Sequence, residues 1–249
     1  MIGLAGGASA PAPIRVAVVV FPGTNCELDA AYALELAGAN PELVWHRQAE
    51  LDEFDGVVLP GGFAHGDYLR TGAIARFSPV MGPVSEMAAA GKPVLGICNG
   101  FQILCEAGLL PGAFIANSGL SFICRFVDVE VASTSSILTQ GATAGQVLRL
   151  PLNSYEGNYV DPTLTGRVVL RYKDNPNGAQ GGAAAVANEA GNVVGVMPHP
   201  ERASEATLGS EDGMILLRSF LGDGRPETRQ TETARPSLRA VSGSTRSDG

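Results

Sequence analysis

A doubly wound α/β fold, one mostly parallel sheet with helices on both faces, is what this sequence predicts. Short apolar runs of strand length recur along the chain, and they alternate with longer stretches of helical spacing. The patterns with chemical character also fall where such runs end, which is where ligands bind in open α/β sheets. Taken in order, Arg15 to Val20 reads as the first strand, Glu27 to Leu36 as a helix, and Leu43 to Trp45 and Gly56 to Leu59 as further strands. Pro79 to Ala90 reads as a helix stopped by Gly91, and Pro93 to Ile97 as the next strand. Later runs, Phe126 to Val131, Gln146 to Leu150, Val168 to Tyr172 and Ala183 to Ala187, suggest shorter strands, some antiparallel. Val193 to Met197 is the last strand-like run. Apolar residues make up 45% and charged residues 17% of the 249, which suits a sheet buried on both faces.

Cys98 is the leading candidate for chemistry. It stands in Gly96-Ile97-Cys98-Asn99-Gly100, between the apolar run Val94 to Ile97 and the helix-like start Gly100 to Leu104. Glycines on both sides leave room for a sharp strand-to-helix turn and for a substrate beside the sulfur. A thiol at a helix N-terminus has its thiolate favoured. The same pattern also fits a small hydrophobe closing a strand.

A nucleophilic thiolate needs a base, a group that orients the base, and donors for the oxyanion. The chain holds three histidines. His199, in Pro198-His199-Pro200-Glu201, follows the last strand-like run, and the flanking prolines exclude a helix interior. Extended geometry would place Glu201 on the side of the His199 ring, able to take the Nδ1 proton. A solvated ion pair is the alternative. His46 reads as the end of a strand, and His65, in a Gly-rich loop, is the rival base. Pro60-Gly61-Gly62-Phe63 ends another strand, so the N–H of Gly62 or Phe63 could form an oxyanion hole with that of Asn99. A plain turn explains Pro-Gly-Gly as well.

In this order and each at a strand end, Pro-Gly-Gly, Gly-x-Cys-x-Gly and His-Pro-Glu resemble the class I, or triad, glutamine amidotransferases with their flavodoxin-like core. The segments Phe21 to Cys26, Gly61 to Arg70, Gly72 to Phe77, Cys98 to Leu104 and Pro198 to Ala203 narrow the likeness to the glutaminase subunits of phosphoribosylformylglycinamidine synthase, over about Ile14 to Leu221. The resemblance implies that Cys98 forms a γ-glutamyl thioester and releases ammonia, that His199 moves the proton and that Glu201 orients His199. It also implies Gln102 and Gly61 as glutamine-binding residues. Two partners follow from it, a large synthetase subunit and a small bridging subunit. ATP and magnesium are expected on that synthetase, which converts formylglycinamide ribonucleotide to its amidine, with no cofactor or metal in this chain. Two departures stand out: Ser154-Tyr155-Glu156-Gly157 where the family usually has His-Gly-Glu-Gly, and Ala64-His65 in place of Ser-Tyr. An amidotransferase serving another acceptor and a non-catalytic regulatory subunit are the competing readings.

Composition narrows the remaining classes. A net charge of −8 argues against nucleic acid as the main partner. No run is long enough to span a membrane, and no phosphate loop with lysine marks an ATP site. Cys26, Cys98, Cys105 and Cys124 show neither paired zinc spacing nor a dense disulfide framework, which points to a reducing cytoplasm. Cys26, Cys105 and Cys124 read as buried or spectator thiols, Cys26 the least clearly because its loop follows the first strand. Residues 1–13 are expected to form a flexible arm without signal-peptide character. Residues 14–221 are expected to form a single catalytic domain, and 222–249, poor in large apolar residues, a disordered tail.

Overall fold

The computed structural model describes residues 13–163 and 166–222, so nearly all of the expected arm and tail lies outside the described residues. Strands β1 (Arg15–Val20), β2 (Asn40–Trp45), β3 (Gly56–Leu59) and β4 (Val94–Ile97) are joined through helices α1 (Glu27–Leu36) and α2 (Met81–Ala89). After β4 come α3 (Asn99–Glu106), β5 (Ala113–Ile115), β6 (Ile123–Val131), β7 (Val147–Ser154) and β8 (Asn158–Val160). The chain continues through β9 (Arg167–Tyr172), β10 (Ala183–Ala187), β11 (Val193–Val196) and α4 (Gly213–Phe220).

Nine strands form one sheet in the order β2-β1-β3-β4-β11-β10-β9-β6-β7, and β5 pairs with β8 in a separate hairpin-like ladder. From β2 to β11 all neighbours are parallel. From β11 to β7 every pairing is antiparallel. The doubly wound core is therefore as expected, extended by an antiparallel wing. β3, β4 and β11 are buried at every position, and their Val, Leu and Ile side chains make the centre of the core. The apolar runs could be found by eye because strands covered on both faces need no polar alternation.

β6 and β7 run further than the expected Phe126 to Val131 and Gln146 to Leu150. The extra residues of β6, Ile123 to Arg125, are half-buried or exposed, those of β7 alternate between half-buried and buried, and β7 continues straight through Pro151. That proline is tolerated because β7 is the edge of the sheet, where one side of the strand carries no ladder. Ala183 to Ala187 of β10 are all buried, while Gly178, Gly181 and Gly182 just before it take positive φ in the turn that leads into the strand.

Two strand ends fix where the site can form. α3 begins pressed onto the end of β3, where a Cβ on Gly100 would lie 1.8 Å from the Leu59 carbonyl oxygen. Only glycine permits that approach. The packing brings the end of β4 beside the ends of β3 and β11, because both are its parallel neighbours.

Candidate active site

Cys98 occupies the turn between β4 and α3 with φ 51 and ψ −106, a conformation L-residues rarely adopt. Its N–H donates to the Val196 carbonyl at 2.8 Å, so the end of β11 holds the strained residue in place. Its carbonyl accepts from Phe101 (3.0 Å) and Gln102 (3.2 Å), opening the helix. The first N–H groups of a helix have no partner within it, and that of Asn99 is the first of α3. The sulfur lies 3.5 Å from the Asn153 carbonyl of β7, and the residue is 8% exposed.

His199 follows β11 and donates its N–H to the Pro151 carbonyl at 2.8 Å. Its Nδ1 and Glu201 Oε1 are 2.6 Å apart, and both residues are 2% exposed. The sequence argument for this contact assumed an extended run. Instead, His199 is extended and Pro200–Arg202 form a single 3-10 turn, which folds the carboxylate back onto the ring. The buried Nε2 has no hydrogen-bond partner. Burial pulls the His199 pKa down, but the Glu201 carboxylate and the Cys98 sulfur act the other way and hold it well above the usual 6.5.

Gly61 shows that these groups converge. A Cβ there would lie 2.8 Å from His199 Cε1, 3.2 Å from Cys26 Sγ and 3.4 Å from Cys98 Cβ. The backbone at the end of β3 is thus the common neighbour of imidazole and nucleophile candidate. Gly61 makes space; no contact of its own assigns it to a ligand. Gly62, with φ 145, lies against the 23–25 turn, where a Cβ would come within 2.6 Å of the Asn25 nitrogen.

Of the three oxyanion donors expected from the sequence, Phe63 is corrected. Its N–H already donates to the Gly23 carbonyl at 2.9 Å, because the 62–63 segment pairs with the 23–24 turn. Gly62 and Asn99 remain the candidate donors.

A pocket of about 390 Å³ opens over Cys98, with Gly62, His199, Gln102, Asp67 and Glu156 in its wall. Gln102 is buried and both ends of its amide are taken: Oε1 accepts from Asn99 Nδ2 at 2.9 Å and Nε2 donates to the Glu156 carbonyl at 2.7 Å. It ties α3 to the 154–157 segment. Asn99 extends the same network, accepting from the Ala64 N–H at 2.9 Å and donating to Asp67 Oδ1 at 3.1 Å.

His65, the rival base, is not brought to Cys98. Its ring lies 5.3 Å from that of His46 and 6.3 Å from that of Phe21, away from the pocket wall. His46 bonds Ser78 Oγ at 3.0 Å, and burial lowers its pKa. Cys105 is pushed far up by burial, as fits an inert thiol, and Cys124 is exposed. Cys26 was undervalued, since it lines the pocket and accepts from the Arg202 guanidinium at 3.2 Å. Cys26, His199 and Glu201 each offer a donor atom within 4.8 Å of the others, the one trio among the described residues that could gather about a metal. The short Nδ1–Oε1 bond already uses two of those residues on each other.

Asp67 and Glu156 also escaped the sequence reading as site residues. A carboxylate in a loop has no local pattern, and the only signal was that both lie in motif segments. Where the family's histidine was missing, Ser154 takes a structural part: Oγ accepts from Asn177 Nδ2 at 3.0 Å and its carbonyl from Asn117 Nδ2 at 2.9 Å.

A strained thiol at a strand-to-helix turn, a buried imidazole–carboxylate pair beside it and backbone donors over one pocket can perform acyl transfer from an amide. The family profile described as a CobB/CobQ-like glutamine amidotransferase domain matches residues 13–160 and 153–212. The phosphoribosylformylglycinamidine synthase subunit PurQ of Rubrobacter xylanophilus is 55% identical over 219 residues, covering 85% of this chain and 100% of that protein. The chain belongs to the PurQ family of glutamine amidotransferases. PurQ of Nocardia farcinica is 52% identical, covering 83% of this chain and 96% of its own length. Among solved structures, PurLQS from Thermotoga maritima contains a chain of which 99% superposes on 85% of this PurQ-family chain, with TM-score 0.82 and 44% identity. A glutamine amidotransferase from the same organism shares the fold at TM-score 0.59 and 18% identity, covering 86% of this chain and 99% of its own.

Proposed function

We propose that this chain is the glutamine-hydrolysing subunit of phosphoribosylformylglycinamidine synthase in purine biosynthesis. The observation that carries the reading is the convergence of Cys98 and His199 about Gly61 at the ends of three parallel strands, with Glu201 bonded to the imidazole. Cys98 attacks the side-chain amide carbon of glutamine, and the oxyanion that forms is held by the N–H groups of Gly62 and Asn99. Protonated His199 gives its Nε2 proton to the leaving nitrogen, so ammonia departs and a γ-glutamyl thioester stays on the sulfur. Neutral His199 then takes a proton from water, which attacks the thioester and releases glutamate. Glu201, accepting from Nδ1, fixes the tautomer and stabilises the imidazolium.

Ammonia is passed to the large synthetase subunit, where ATP and magnesium drive conversion of formylglycinamide ribonucleotide to the amidine, with a small subunit bridging the two. Phe63, Phe122 and Tyr155 stand half exposed at the pocket mouth and present the apolar rim that suits docking of such a partner. No described helix is long and apolar enough to cross a membrane, and we assign the protein to the cytoplasm.

The test uses the assembled complex. Cys98→Ala is expected to abolish synthesis from glutamine while leaving synthesis from ammonium salt intact. Equal loss with both nitrogen donors would overturn the reading, as would failure of a glutamine-analogue electrophile to label Cys98 in the complex.

A further inference from the structure

Two pockets share Arg202 as part of their walls. Cys26 and His199 line the one over Cys98, whereas Glu201 lines a second cavity of about 550 Å³ together with Asp29, Tyr32 and Glu205. Cys26, His199 and Glu201, each no more than 3% exposed, bring one donor atom apiece within 4.8 Å of the others. The bond from His199 Nδ1 to Glu201 Oε1 does not exhaust that pair. His199 Nε2 and Glu201 Oε2 are buried and have no hydrogen-bond partner among the described residues, and Cys26 Sγ accepts from Arg202 at 3.2 Å. Buried donor atoms left over in this way call for a ligand that takes several of them at once.

A sulfur, an imidazole nitrogen and a carboxylate oxygen make a donor set for zinc(II) and its transition-metal neighbours, not for magnesium or calcium, which take oxygen. Zinc bonds of about 2.0–2.3 Å set tetrahedral donors roughly 3.3–3.8 Å apart, so the three atoms need close by about 1.5 Å at most. Charge balances as well, since a thiolate and a carboxylate offset a dication. Arg202 keeps its bond to Asp29 at 2.9 Å when the sulfur turns to a metal. Asp29, Glu201 and Glu205 set three carboxylates against the one guanidinium in the second cavity, which gives an entering cation a negative approach.

The geometry points to an inhibitory metal site, in which Cys26, His199 and Glu201 together bind a thiophilic divalent cation of the zinc class and so disable the imidazole–carboxylate pair. Binding of the metal goes beyond the glutaminase reading and does not depend on it; the inhibition rests on that reading. A metal held by these donors takes the lone pair or the carboxylate that proton transfer uses, so Cys98 keeps its place and loses its base. Cys26 has no step of its own in glutamine hydrolysis. Its sulfur is what turns a catalytic pair into a chelate.

Cobalt(II) serves as the visible probe, because thiolate ligation gives it a charge-transfer band. Titration of the full-length chain with cobalt(II) chloride, in a phosphine reductant, is expected to develop that band to an end point of one ion per chain in wild type and in Cys98→Ala alike, and zinc(II) chloride to bleach it. Cys26→Ser keeps an oxygen for Arg202 and removes the sulfur. In that variant the band is expected to vanish and the zinc dissociation constant to rise about a hundredfold, since even groups outside the ligand shell are worth about ten- to a hundredfold. In the assembled complex, zinc(II) chloride is expected to stop glutamine hydrolysis, and Cys26→Ser to raise the half-inhibiting concentration about tenfold or more, read against that variant's own rate without zinc. Synthesis from ammonium salt at the same zinc concentrations reports any effect on the synthetase.

No band in wild type, a band that survives Cys26→Ser, or one lost in Cys98→Ala would overturn the site. Should Cys26→Ser fold poorly, zinc K-edge absorption of the Cys98→Ala chain decides: a sulfur neighbour beside nitrogen and oxygen is expected, and a shell without sulfur overturns the inference. Equal zinc sensitivity of wild type and Cys26→Ser would refute the inhibition. If the wild-type complex hydrolyses no glutamine in the absence of zinc, it is the glutaminase assignment that fails, and the cobalt result stands on its own.

Discussion

The parallel and antiparallel halves of the sheet build this pocket in opposite ways. The parallel half delivers its groups through backbone alone. Cys98, Gly61 and His199 stand at the ends of β4, β3 and β11, held by ladders whose side chains are wholly buried. The antiparallel half contributes carbonyls and a polar network. Pro151 and Asn153 of β7 offer their oxygens to the His199 N–H and the Cys98 sulfur. Asn117, 1% exposed, then ties 121, 154, 157 and 177 together through its side chain. The candidate reacting groups sit where packing leaves the fold least deformable, and the facing pocket segment sits where side-chain hydrogen bonds replace sheet packing.

This contrast can be broken experimentally, and the largest effect belongs to the rigid half. Glu201→Gln keeps the size of the side chain but removes the charge that supports the imidazolium, and kcat for glutamine is expected to drop about 10³- to 10⁴-fold. With that carboxylate neutral, burial acts on His199 with less opposition, so its pKa moves downward; an NMR titration of the imidazole should show the shift. An unchanged titration would remove Glu201 from the electrostatic account.

A smaller loss is expected from Gly61→Ala. The added Cβ, 2.8 Å from His199 Cε1, forces the ring aside. A displacement on the order of 1 Å costs about a hundredfold in kcat. Far-UV circular dichroism should stay that of wild type. Activity within twofold of wild type would show that the strand end yields and that the parallel half is not the stiff one.

The antiparallel half should respond in stability rather than chemistry. Asn117→Ala removes four hydrogen bonds from a buried cluster and leaves donors and acceptors unpaired, a loss of about 2–3 kcal/mol. Urea unfolding is expected to register that loss, with KM for glutamine rising as the 154–157 segment loosens and kcat changing little. A fall in kcat without a fall in stability would erase the distinction between the halves.

What could be read directly from residues was the local chemistry. Glycines around Cys98 announce a turn, prolines around His199 forbid a helix, and apolar runs mark the strands that carry both. Local steric rules dictate these features, and their positions at strand ends were enough to assign the nucleophile, the base and the orienting carboxylate as candidates. Other parts were beyond that reach. The donor role expected of Phe63 was lost to a pairing with the 23–24 turn. The bonds of Gln102 to Asn99 and Glu156 could not be read from the chain, and neither could the nearness of Cys26 to His199.

By itself the sequence determined the alternation of strands and helices, the turn that exposes the sulfur and the family to which the chain belongs. Tertiary structure alone decided which carboxylates line the pocket, which amides stay free, and which edge-strand carbonyls hold Cys98 and His199. The physical reason is the range of the forces. Backbone sterics and periodicity act within a few residues, whereas a hydrogen bond between distant loops exists only after the sheet has set their separation.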